Sequence, residues 1–390
     1  MASSFEFGLQ QAPPPPPPSC PGGRVVTIQP GDTLWVLANR YGTTLAAIRA
    51  ANPQITDPNR LQVGQRVCIP AAGAAPGPAP APPPRVMPLP ANLATPPSPS
   101  YDHEQMAAEL RWLAGRYPFL QLTSIGNSVE GRPLMLMRFG RGGRLVHLNG
   151  AHHANEWITS PLLVRFMAAF ARAYESGGAI GGFSAATLFE QAQFWIVPMV
   201  NPDGVNLVQH GIAAGSPYYN LVMQANGWSR DFRRWKANIR GVDLNRNYPA
   251  YWERARLDSP PGPSYEGYVG PAPLSEPETA NMATLTRSHP FRLVCAYHTA
   301  GGVIYWNFLG LAPAESARIA TEMAARSGYT PIGEAPPEAL YGGYKDWFIL
   351  AFRRPGFTVE VGSGPSPVPV WQFSDIYYRN IPLIAYLGTV

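Results

Sequence analysis

Two histidines and a glutamate lie close together in this 390-residue chain, at His152, His153 and Glu156. Imidazole nitrogens and carboxylate oxygens bind zinc in proteins, and a catalytic zinc site keeps one position open for water. Zinc acidifies that water, so a nearby carboxylate must accept its proton and a cation must stabilise the oxyanion that forms. Either histidine can partner Glu156 at this spacing. The stretch therefore predicts a metal-binding turn that needs another ligand, a base and a cation from elsewhere in the chain.

The elements around this turn predict how it is positioned. An apolar run, Leu145–Leu148, precedes it, a helical pattern covers 160–175, and a second strand pattern follows at Phe194–Val197. Met106, Leu110, Leu113 and Tyr117 fall on one face of an earlier helix. This alternation predicts an α/β fold with a mixed, largely parallel central sheet and helices on both faces.

Polar clusters follow several of the apolar runs. Parallel sheets bind ligands at the carboxyl ends of their strands, so we expect these clusters to meet at one edge. They comprise His153 with Glu156, Asn201–Gly204, Asp243–Asn247, His298 and Glu360.

From about Tyr101 to Val390 the sequence resembles the zinc metallocarboxypeptidases. The stretch from His153 through Glu156 to Thr159 matches the family segment H-x-x-E-W-I-T. The resemblance implies one zinc ion per chain, bound by His153, Glu156 and His298, and it favours His153 over His152. Four other histidines lack a partner in motif register and are interpreted as structural or solvated: His103, His147, His210 and His289.

Two further segments support the resemblance. Gly241–Asn247 matches the element that binds the substrate's terminal carboxylate, which assigns that role to Asn245 and Arg246. In the same element, Asp243 is expected to accept a hydrogen bond from His153 and so fix its tautomer. Gly342–Trp347 resembles the family's G-G-x-x-D-W element.

The general base follows from that second segment. The spacing from Asp346 to Glu360 is the one the family keeps, so the resemblance makes Glu360 the base. A glutamate that ends a buried strand is also costly to bury without a function or a partner.

Two positions depart from the family pattern. Where the family has an arginine for the oxyanion, this chain has Lys236 in register and Arg234 two residues earlier, and either cation is suitable. The mobile tyrosine of the family lies just ahead of the glycine pair, and Tyr341 is the nearest candidate.

Lys345 is the most informative departure. The resemblance places this position at the floor of the pocket for the leaving residue's side chain, beside Asp346. A buried ammonium without a partner would favour a substrate side chain that carries a carboxylate. Diaminopimelic acid of peptidoglycan offers one carboxylate to Arg246 and a second to Lys345. The alternative is that Lys345 points to solvent.

Residues 24–70 predict a small β-α-α-β domain. Three separated motifs, Pro30–Trp35, Asn52–Pro53 and Leu61–Gln65, resemble a LysM domain, a family that binds polymers containing N-acetylglucosamine. The alternative is a LysM fold that no longer binds sugar. By resemblance, the glycan-binding residues are Gly31, Asp32, Thr33, Leu34, Asn52, Pro53, Gln54 and Ile55.

Proline marks the segments outside these domains, since it cannot donate a backbone hydrogen bond. Of 45 prolines, many cluster in residues 1–23, expected to be a disordered tail, and in residues 71–100, expected to be a linker between the LysM domain and the catalytic domain at 101–390. Cys20 and Cys68 flank a compact segment, and we hypothesise a disulfide between them. Cys295 lies in an apolar run and is interpreted as a buried small side chain.

Composition argues against two partner classes. The net charge is only +5, and basic residues do not alternate with aromatics, so nucleic acid is not an expected partner. No apolar run is long enough to span a bilayer, and no signal peptide is visible. The resemblance to LysM implies a protein of the cell wall, and the resemblance to peptidases of spore-forming bacteria, described next, implies the spore or the mother-cell cytoplasm.

The pairing of the two domains resembles the γ-D-glutamyl-L-diamino acid peptidases of spore-forming bacteria. It implies a zinc peptidase that cleaves the γ-D-glutamyl-diaminopimelate bond of peptidoglycan stem peptides while LysM binds the glycan. Two alternatives remain open: an ordinary exo-carboxypeptidase that acts on other peptides, and a non-catalytic wall-binding protein.

Overall fold

The computed structural model describes residues 20–29, 32–55, 61–70, 89–98 and 100–390. They form two compact units, one within residues 1–81 and one within residues 82–390. Most of the expected tail, residues 71–88 of the expected linker, and Gly31 of the expected glycan site lie outside the described residues.

The first unit has the predicted β-α-α-β order, with strand β1 at Arg24–Thr27, helices α1 at Leu34–Arg40 and α2 at Leu45–Ala50, and strand β2 at Arg66–Ile69. The two strands pair antiparallel. Thr33 and Thr44 accept hydrogen bonds from the backbone at the start of each helix, as expected of N-cap residues. The core consists of Ile28, Leu34, Leu37, Ala38, Ile48, Val67 and Ile69.

A disulfide joins Cys20 to Cys68 in β2, as hypothesised. Cys20 was assigned to the tail, and this assignment is wrong because the disulfide ties it to the strand. Cys295 is buried with a free thiol, and burial raises its pKa far above the ordinary range.

The second unit alternates helices and strands along its whole length. None of the helices in the described part of the chain is both long and apolar enough to cross a membrane. The elements are α3 (His103–Arg116), β3 (Gln121–Asn127), β4 (Pro133–Gly140), β5 (Arg144–Gly150), α4 (Thr159–Glu175), β6 (Ala179–Ile180), β7 (Phe183–Ser184), α5 (Ala185–Gln191), β8 (Ala192–Val197), α6 (Pro202–His210), α7 (Tyr219–Ala225), α8 (Trp252–Ala255), α9 (Pro277–Ser288), β9 (Leu293–His298), β10 (Val303–Tyr305), α10 (Glu315–Ser327), β11 (Thr330–Ile332), α11 (Tyr344–Phe352), β12 (Gly356–Glu360) and α12 (Phe373–Leu387).

Eight strands form the central sheet in the order β11-β10-β12-β9-β5-β8-β4-β3. The pairs from β12 to β8 are parallel, as is β10-β11, whereas β10-β12, β4-β8 and β3-β4 are antiparallel. The predicted mixed, largely parallel sheet is therefore confirmed.

Helices cover both faces of this sheet. Successive side chains of a strand point to opposite faces. In β8, Phe194 packs against Phe166 of α4, whereas its neighbour Trp195 packs against His289, just beyond α9. The four predicted apolar residues at 106, 110, 113 and 117 are buried as expected.

Residues 89–98 belong to the second unit and do not form linker, contrary to the expected boundary at residue 100. Leu93 and Ala94 are buried. Arg172 of α4 donates to the Ala91 carbonyl, and Ser374 of α12 donates to the Ala94 carbonyl. Proline-rich composition indicated an extended backbone, but it could not indicate that this backbone packs against two helices.

Candidate active site

A short 3₁₀ turn, Ala154–Glu156, follows the end of β5 and positions the first two candidate ligands. Such a turn has about three residues per turn, so side chains at positions i and i+3 lie on one side. His153 and Glu156 therefore face the same point. Thr159 fixes the turn, since its hydroxyl donates to the Glu156 carbonyl and accepts from the Ala151 N–H.

Two adjacent strands bring the distant residues to the same place. His298 is the last residue of β9, Glu360 is the last residue of β12, and the two are directly paired in the parallel register. Strand β5, which leads into the turn, borders β9 on its other side. The predicted meeting of polar residues at the carboxyl edge thus holds for these three segments.

His153, Glu156 and His298 form a compact potential metal site. Their ligand atoms all lie within 4.8 Å of one another. Glu156 Oε1 lies 2.8 Å from His153 Nδ1, and Glu156 Oε2 lies 2.8 Å from His298 Nδ1. On its far side, His153 Nε2 lies 3.1 Å from Asp243 Oδ1.

This donor set fits zinc. Two imidazoles and one carboxylate are a known catalytic ligand set, with a fourth position left for water or substrate. If His153 binds through Nδ1, its Nε2 must carry the proton, and Asp243 is placed to accept it. Asp243 itself is held by the backbone N–H groups of Asn245 and Gly267.

The charges of these residues strongly affect one another. Burial would raise the pKa of Glu156, but His153 and His298 outweigh burial and hold it well below its usual range. Burial would lower the pKa of His153, yet Glu156 and Asp243 raise it to about 10. Histidine must be neutral to bind a metal ion, so a bound ion would compete with protons at this site.

His152, the competing histidine, lies outside this group. It is fully buried, its Nε2 lies 3.0 Å from Tyr248 Oη, and burial followed by the charge of His298 lowers its pKa. The other histidines contact backbone or surface groups: His103 the Pro133 carbonyl, His147 the Trp195 carbonyl, His289 the Leu285 carbonyl and His210 the carboxylate of Asp102.

Glu360 lies at the edge of the cluster with a perturbed pKa. Burial, and then the negative charge of Glu156, raise its pKa to about 8. Its carboxylate accepts no hydrogen bond from the residues that the structure describes, so it is free to exchange a proton. The carbonyl of Glu360 accepts from the Gly302 N–H, which holds the strand end in place.

The structure brings Lys236, and not Arg234, to the site. Burial would lower the pKa of Lys236, but the carboxylates of Glu156, Asp243 and Glu266 raise it. Its Nζ lies 3.4 Å from Glu266 Oε2. Arg234 is exposed, and its guanidinium donates to the hydroxyl of Tyr265 and lies over that ring. The expectation that Arg234 is an alternative oxyanion cation is therefore not supported.

Asn245 and Arg246 lie on a second 3₁₀ turn, Leu244–Arg246, which Asp243 caps. Asn245 Oδ1 accepts from the Tyr344 N–H at 3.1 Å, which leaves its amide donors free. The Arg246 guanidinium makes no hydrogen bond or ion pair with the described residues, although its charge helps to keep the pKa of Asp243 low. Gly342 packs so tightly on this turn that a Cβ would lie 2.5 Å from the Arg246 carbonyl oxygen.

Lys345 is buried, so the alternative that it points to solvent is wrong. The argument from an unpaired ammonium is wrong as well, because Lys345 forms an ion pair with Asp346. Its Nζ also donates to the Asn307 carbonyl at 2.7 Å. Asp346 is thus the counterion of Lys345, and burial raises its pKa despite that pairing.

The predicted role of Tyr341 stays a prediction, and one further expectation is corrected. Tyr341 is half-buried against the rings of Tyr251 and Phe308, with centroids 6.5 and 6.4 Å away. The cluster at Asn201–Gly204 is structural: Asn201 caps α6, and Asp203 pairs with Arg132.

Sequence reasoning missed the partners Glu266 and Asn307. No motif marks either residue, because each acts through contacts with a distant segment.

In the first unit, two of the residues expected to bind glycan have structural side chains, and their glycan-binding role, expected through the backbone groups of the two loops, stays a prediction. Asn52 is buried and bonds the Ile48 carbonyl and both backbone groups of Cys68, and Leu34 lies in the core. Asp32 accepts from the Gln29 N–H and Arg40, and Thr33 caps α1. Pro53 and Gln54 are exposed, and Ile55 is half-buried.

Comparison with known families gives two matches. Residues 106–366 match the family described as zinc carboxypeptidase, and residues 26–70 match the LysM domain. Among solved structures, bovine thrombin-activatable fibrinolysis inhibitor in complex with tick carboxypeptidase inhibitor covers 74% of this chain and 96% of its own, at 20% identity and a TM-score of 0.59. Carboxypeptidase A from Helicoverpa armigera has the same identity and TM-score and covers 74% and 73%. These two likenesses concern the fold.

Two relatives are similar in sequence. Gamma-D-glutamyl-L-diamino acid endopeptidase 1 of Lysinibacillus sphaericus is 42% identical, over 91% of this chain and 97% of its own length. The uncharacterized protein YqgT of Bacillus subtilis (strain 168) is 37% identical, over 71% of this chain and 74% of its own length.

Proposed function

This chain belongs to the zinc carboxypeptidase family, and on that premise we propose that it hydrolyses the γ-D-glutamyl-diaminopimelate bond of peptidoglycan stem peptides. The observation that supports this proposal best is the free Arg246 guanidinium beside Asp243, which bonds the ligand histidine His153. A carboxylate on Arg246 would place a neighbouring peptide bond near the metal ligands. The similar relative from Lysinibacillus sphaericus, which carries this activity in its name, supports the same substrate.

We assign substrate binding to the turn at Leu244–Arg246. The guanidinium of Arg246 and the free amide of Asn245 would hold the terminal carboxylate of the leaving residue, because a planar guanidinium matches a carboxylate with two parallel hydrogen bonds. Lys345 lies next to this turn, since the Tyr344 N–H donates to Asn245. Asp346 neutralises the charge of Lys345. The Lys345 ammonium has three N–H donors, however, and the third would donate a hydrogen bond to a second carboxylate of the substrate.

We assign proton transfer to Glu360. In its ionised form the Glu360 carboxylate would take a proton from the attacking water and return it to the leaving amine. Lys236 would stabilise the negative charge that develops on the carbonyl oxygen. One zinc ion held by His153, Glu156 and His298 would polarise that carbonyl and acidify water.

We propose that the LysM domain binds the N-acetylglucosamine polymer through the exposed residues of its loops, above all Pro53 and Gln54. The disulfide between Cys20 and Cys68 supports the proposal that the protein acts in an oxidising compartment. The cell wall or the spore fits this condition better than the cytoplasm does. On this assignment the protein degrades cell wall, during sporulation or on release of wall material.

Mass spectrometry of digested muropeptides tests the proposed bond. The zinc-loaded full chain is incubated with a disaccharide tripeptide that ends in diaminopimelate. We expect free diaminopimelate and a disaccharide that retains L-alanine and D-glutamate, and we expect a chelator to stop the reaction. Cleavage at another bond, or cleavage only of ordinary peptides that end in Phe, Lys or Glu, would support the general exo-carboxypeptidase instead.

A further inference from the structure

Glu334 lies next to the buried Lys345–Asp346 pair, although no sequence motif marks it. It follows β11, which runs parallel to β10. The segments after these two strands stay together, since the Asn307 N–H donates to the Gly333 carbonyl at 2.7 Å. Glu334 and Asn307 are therefore neighbours beyond the carboxyl ends of β10 and β11, two strands that run antiparallel to β12.

Asn307 connects Glu334 to Lys345. The carbonyl of Asn307 accepts from Lys345 Nζ at 2.7 Å, and its side-chain amide donates to Glu334 Oε1 at 3.2 Å. The Gly310 N–H donates to the same oxygen at 3.2 Å. Glu334 Oε2 accepts no hydrogen bond from the described residues, and the side chain is half-buried. One oxygen is thus fixed, and the other is available to a ligand.

The charges of this group do not cancel. Lys345 and Asp346 neutralise each other, and Glu334 adds one negative charge without a cation of its own. Glu334 is close enough that its charge, after burial, contributes to the raised pKa of Asp346. A site with this balance favours a ligand group that is positively charged and donates hydrogen bonds.

The group also lies where a bound substrate would extend. Lys345 is one residue from Tyr344, whose N–H binds Asn245 beside Arg246. A leaving residue held by its α-carboxylate on Arg246 would direct its side chain past Lys345. Glu334 is joined to Lys345 through Asn307, and its Oε2 accepts no hydrogen bond from the described residues.

We propose that Glu334 is a specificity-determining residue that binds the side-chain ammonium of the leaving residue, so that the pocket selects diamino acids as a class. This inference rests on the proposed function for the placement of the α-carboxylate. An ammonium on a flexible chain would reach Glu334 in diaminopimelate and in lysine, whereas norleucine has the six-carbon chain of lysine without the terminal ammonium. Lys345 then binds a carboxylate only when the side chain of the leaving residue carries one.

A substrate series with Glu334→Gln tests this proposal. Glutamine keeps an oxygen for Asn307 and Gly310 but removes the charge. For γ-D-glutamyl-meso-diaminopimelate and γ-D-glutamyl-L-lysine we expect KM to rise roughly 10- to 100-fold, the range for a hydrogen bond to a charged group. For γ-D-glutamyl-L-norleucine we expect KM to stay within about twofold, and kcat should change little for all three. An equal rise in KM for all three substrates would overturn the proposal.

Glu190→Gln is the matched control, because it removes the same charge from an exposed pair with Arg141 at the other end of the sheet. If the wild type cleaves no γ-D-glutamyl substrate, the proposed function fails. The role of Glu334 is then tested with hippuryl-lysine against hippuryl-norleucine. If Glu334→Gln does not fold, KM of the wild-type protein is compared for the lysine and norleucine substrates. Equal KM values for the two would overturn the proposal.

Discussion

At the residue scale, Glu360 has the most specific proposed role, that of the general base. It ends β12 beside His298 with a carboxylate that binds no other described residue. We expect Glu360→Gln to lower kcat by roughly 10²- to 10⁴-fold, because glutamine cannot take the proton from water. Zinc content, measured by atomic absorption, should stay at one per chain, since the three ligands are unchanged. A variant that keeps more than about a tenth of the activity would exclude Glu360 as the base.

Lys345 and Asp346 are expected to behave as a unit. Lys345→Ile leaves the buried Asp346 carboxylate without its counterion, so we expect urea unfolding to show a loss of roughly 3–5 kcal/mol in the free energy of unfolding. The double variant Lys345→Ile/Asp346→Asn should regain most of that loss.

The double variant also tests the pocket on a folded protein. We expect it to lose preference for diaminopimelate and to gain activity on γ-D-glutamyl peptides that end in apolar residues. An unchanged preference would mean that this pair does not line the pocket.

The metal ligands could be predicted from sequence because the resemblance to the zinc metallocarboxypeptidases selected His153, Glu156 and His298 among the candidates that the spacing left open. His153 and Glu156 lie on one turn, and a strand pattern placed His298 at the same edge. The partner of Lys345 could not be predicted in this way. Adjacent positions at a helix start do not usually face each other, so only the coordinates show that Asp346 turns towards Lys345.

At the element scale, the start of α9 packs against the turn between β3 and β4 through a buried carboxyl. Glu278 accepts from the Val129 N–H at 3.1 Å. Burial, followed by the negative charges of Asp203 and Glu276, raises its pKa from 4.5 to about 8. Arg132 pairs with Asp203, and Arg240 lies 3.5 Å from Glu276, so the cations here are already engaged.

Glu278 should make the stability depend on pH. Because its pKa is higher in the folded than in the unfolded chain, the folded state binds more protons between about pH 4.5 and 8. Its contribution to stability is therefore present in full below pH 4.5 and is lost as the pH rises through 8. We expect Glu278→Gln to become more stable relative to the wild type as the pH rises across this window, by at most on the order of 1.4 kcal/mol per unit of pKa difference.

Urea unfolding at pH 5, 6, 7 and 8 measures this difference. Glu175→Gln, which breaks an exposed pair with Arg116, is the control and should show a difference from wild type that is nearly constant with pH. A constant difference for Glu278→Gln as well would mean that the carboxyl is ionised in the folded protein.

Elements with clear periodicity were predictable, and those defined by packing were not. Strands β5, β8 and β9 coincide with apolar runs in the sequence. Helix α3 coincides with the segment whose apolar residues recur on one helical face. By contrast, residues 89–98 carry no periodicity, and their place on α4 and α12 depends on single hydrogen bonds such as that from Ser374 to Ala94. The structural contacts of Asn52 could not be predicted either, because a polar residue in a loop gave no indication that its amide would bond both backbone groups of Cys68 in β2.

At the scale of the whole molecule, one chain combines a glycan-binding family with a peptidase family. On the proposed function, binding of the polymer by one domain would raise the local concentration of stem peptides for the other, without any new contact at the active site. The gain applies only to substrates that stay attached to long glycan strands. Soluble muropeptides would not gain in local concentration in this way.

A competition experiment with the full chain tests whether the LysM domain binds the wall while the other domain cleaves its peptides. We expect soluble N-acetylglucosamine oligomers to lower the rate of diaminopimelate release from insoluble peptidoglycan by roughly tenfold or more, because they displace the LysM domain from the wall. The rate on a soluble disaccharide tripeptide should not change. Maltose oligomers of the same length are the control, since they lack the acetamido group and should slow neither reaction. If N-acetylglucosamine oligomers slow both reactions equally, the sugar acts at the active site, and the wall is recognised by the peptidase domain itself.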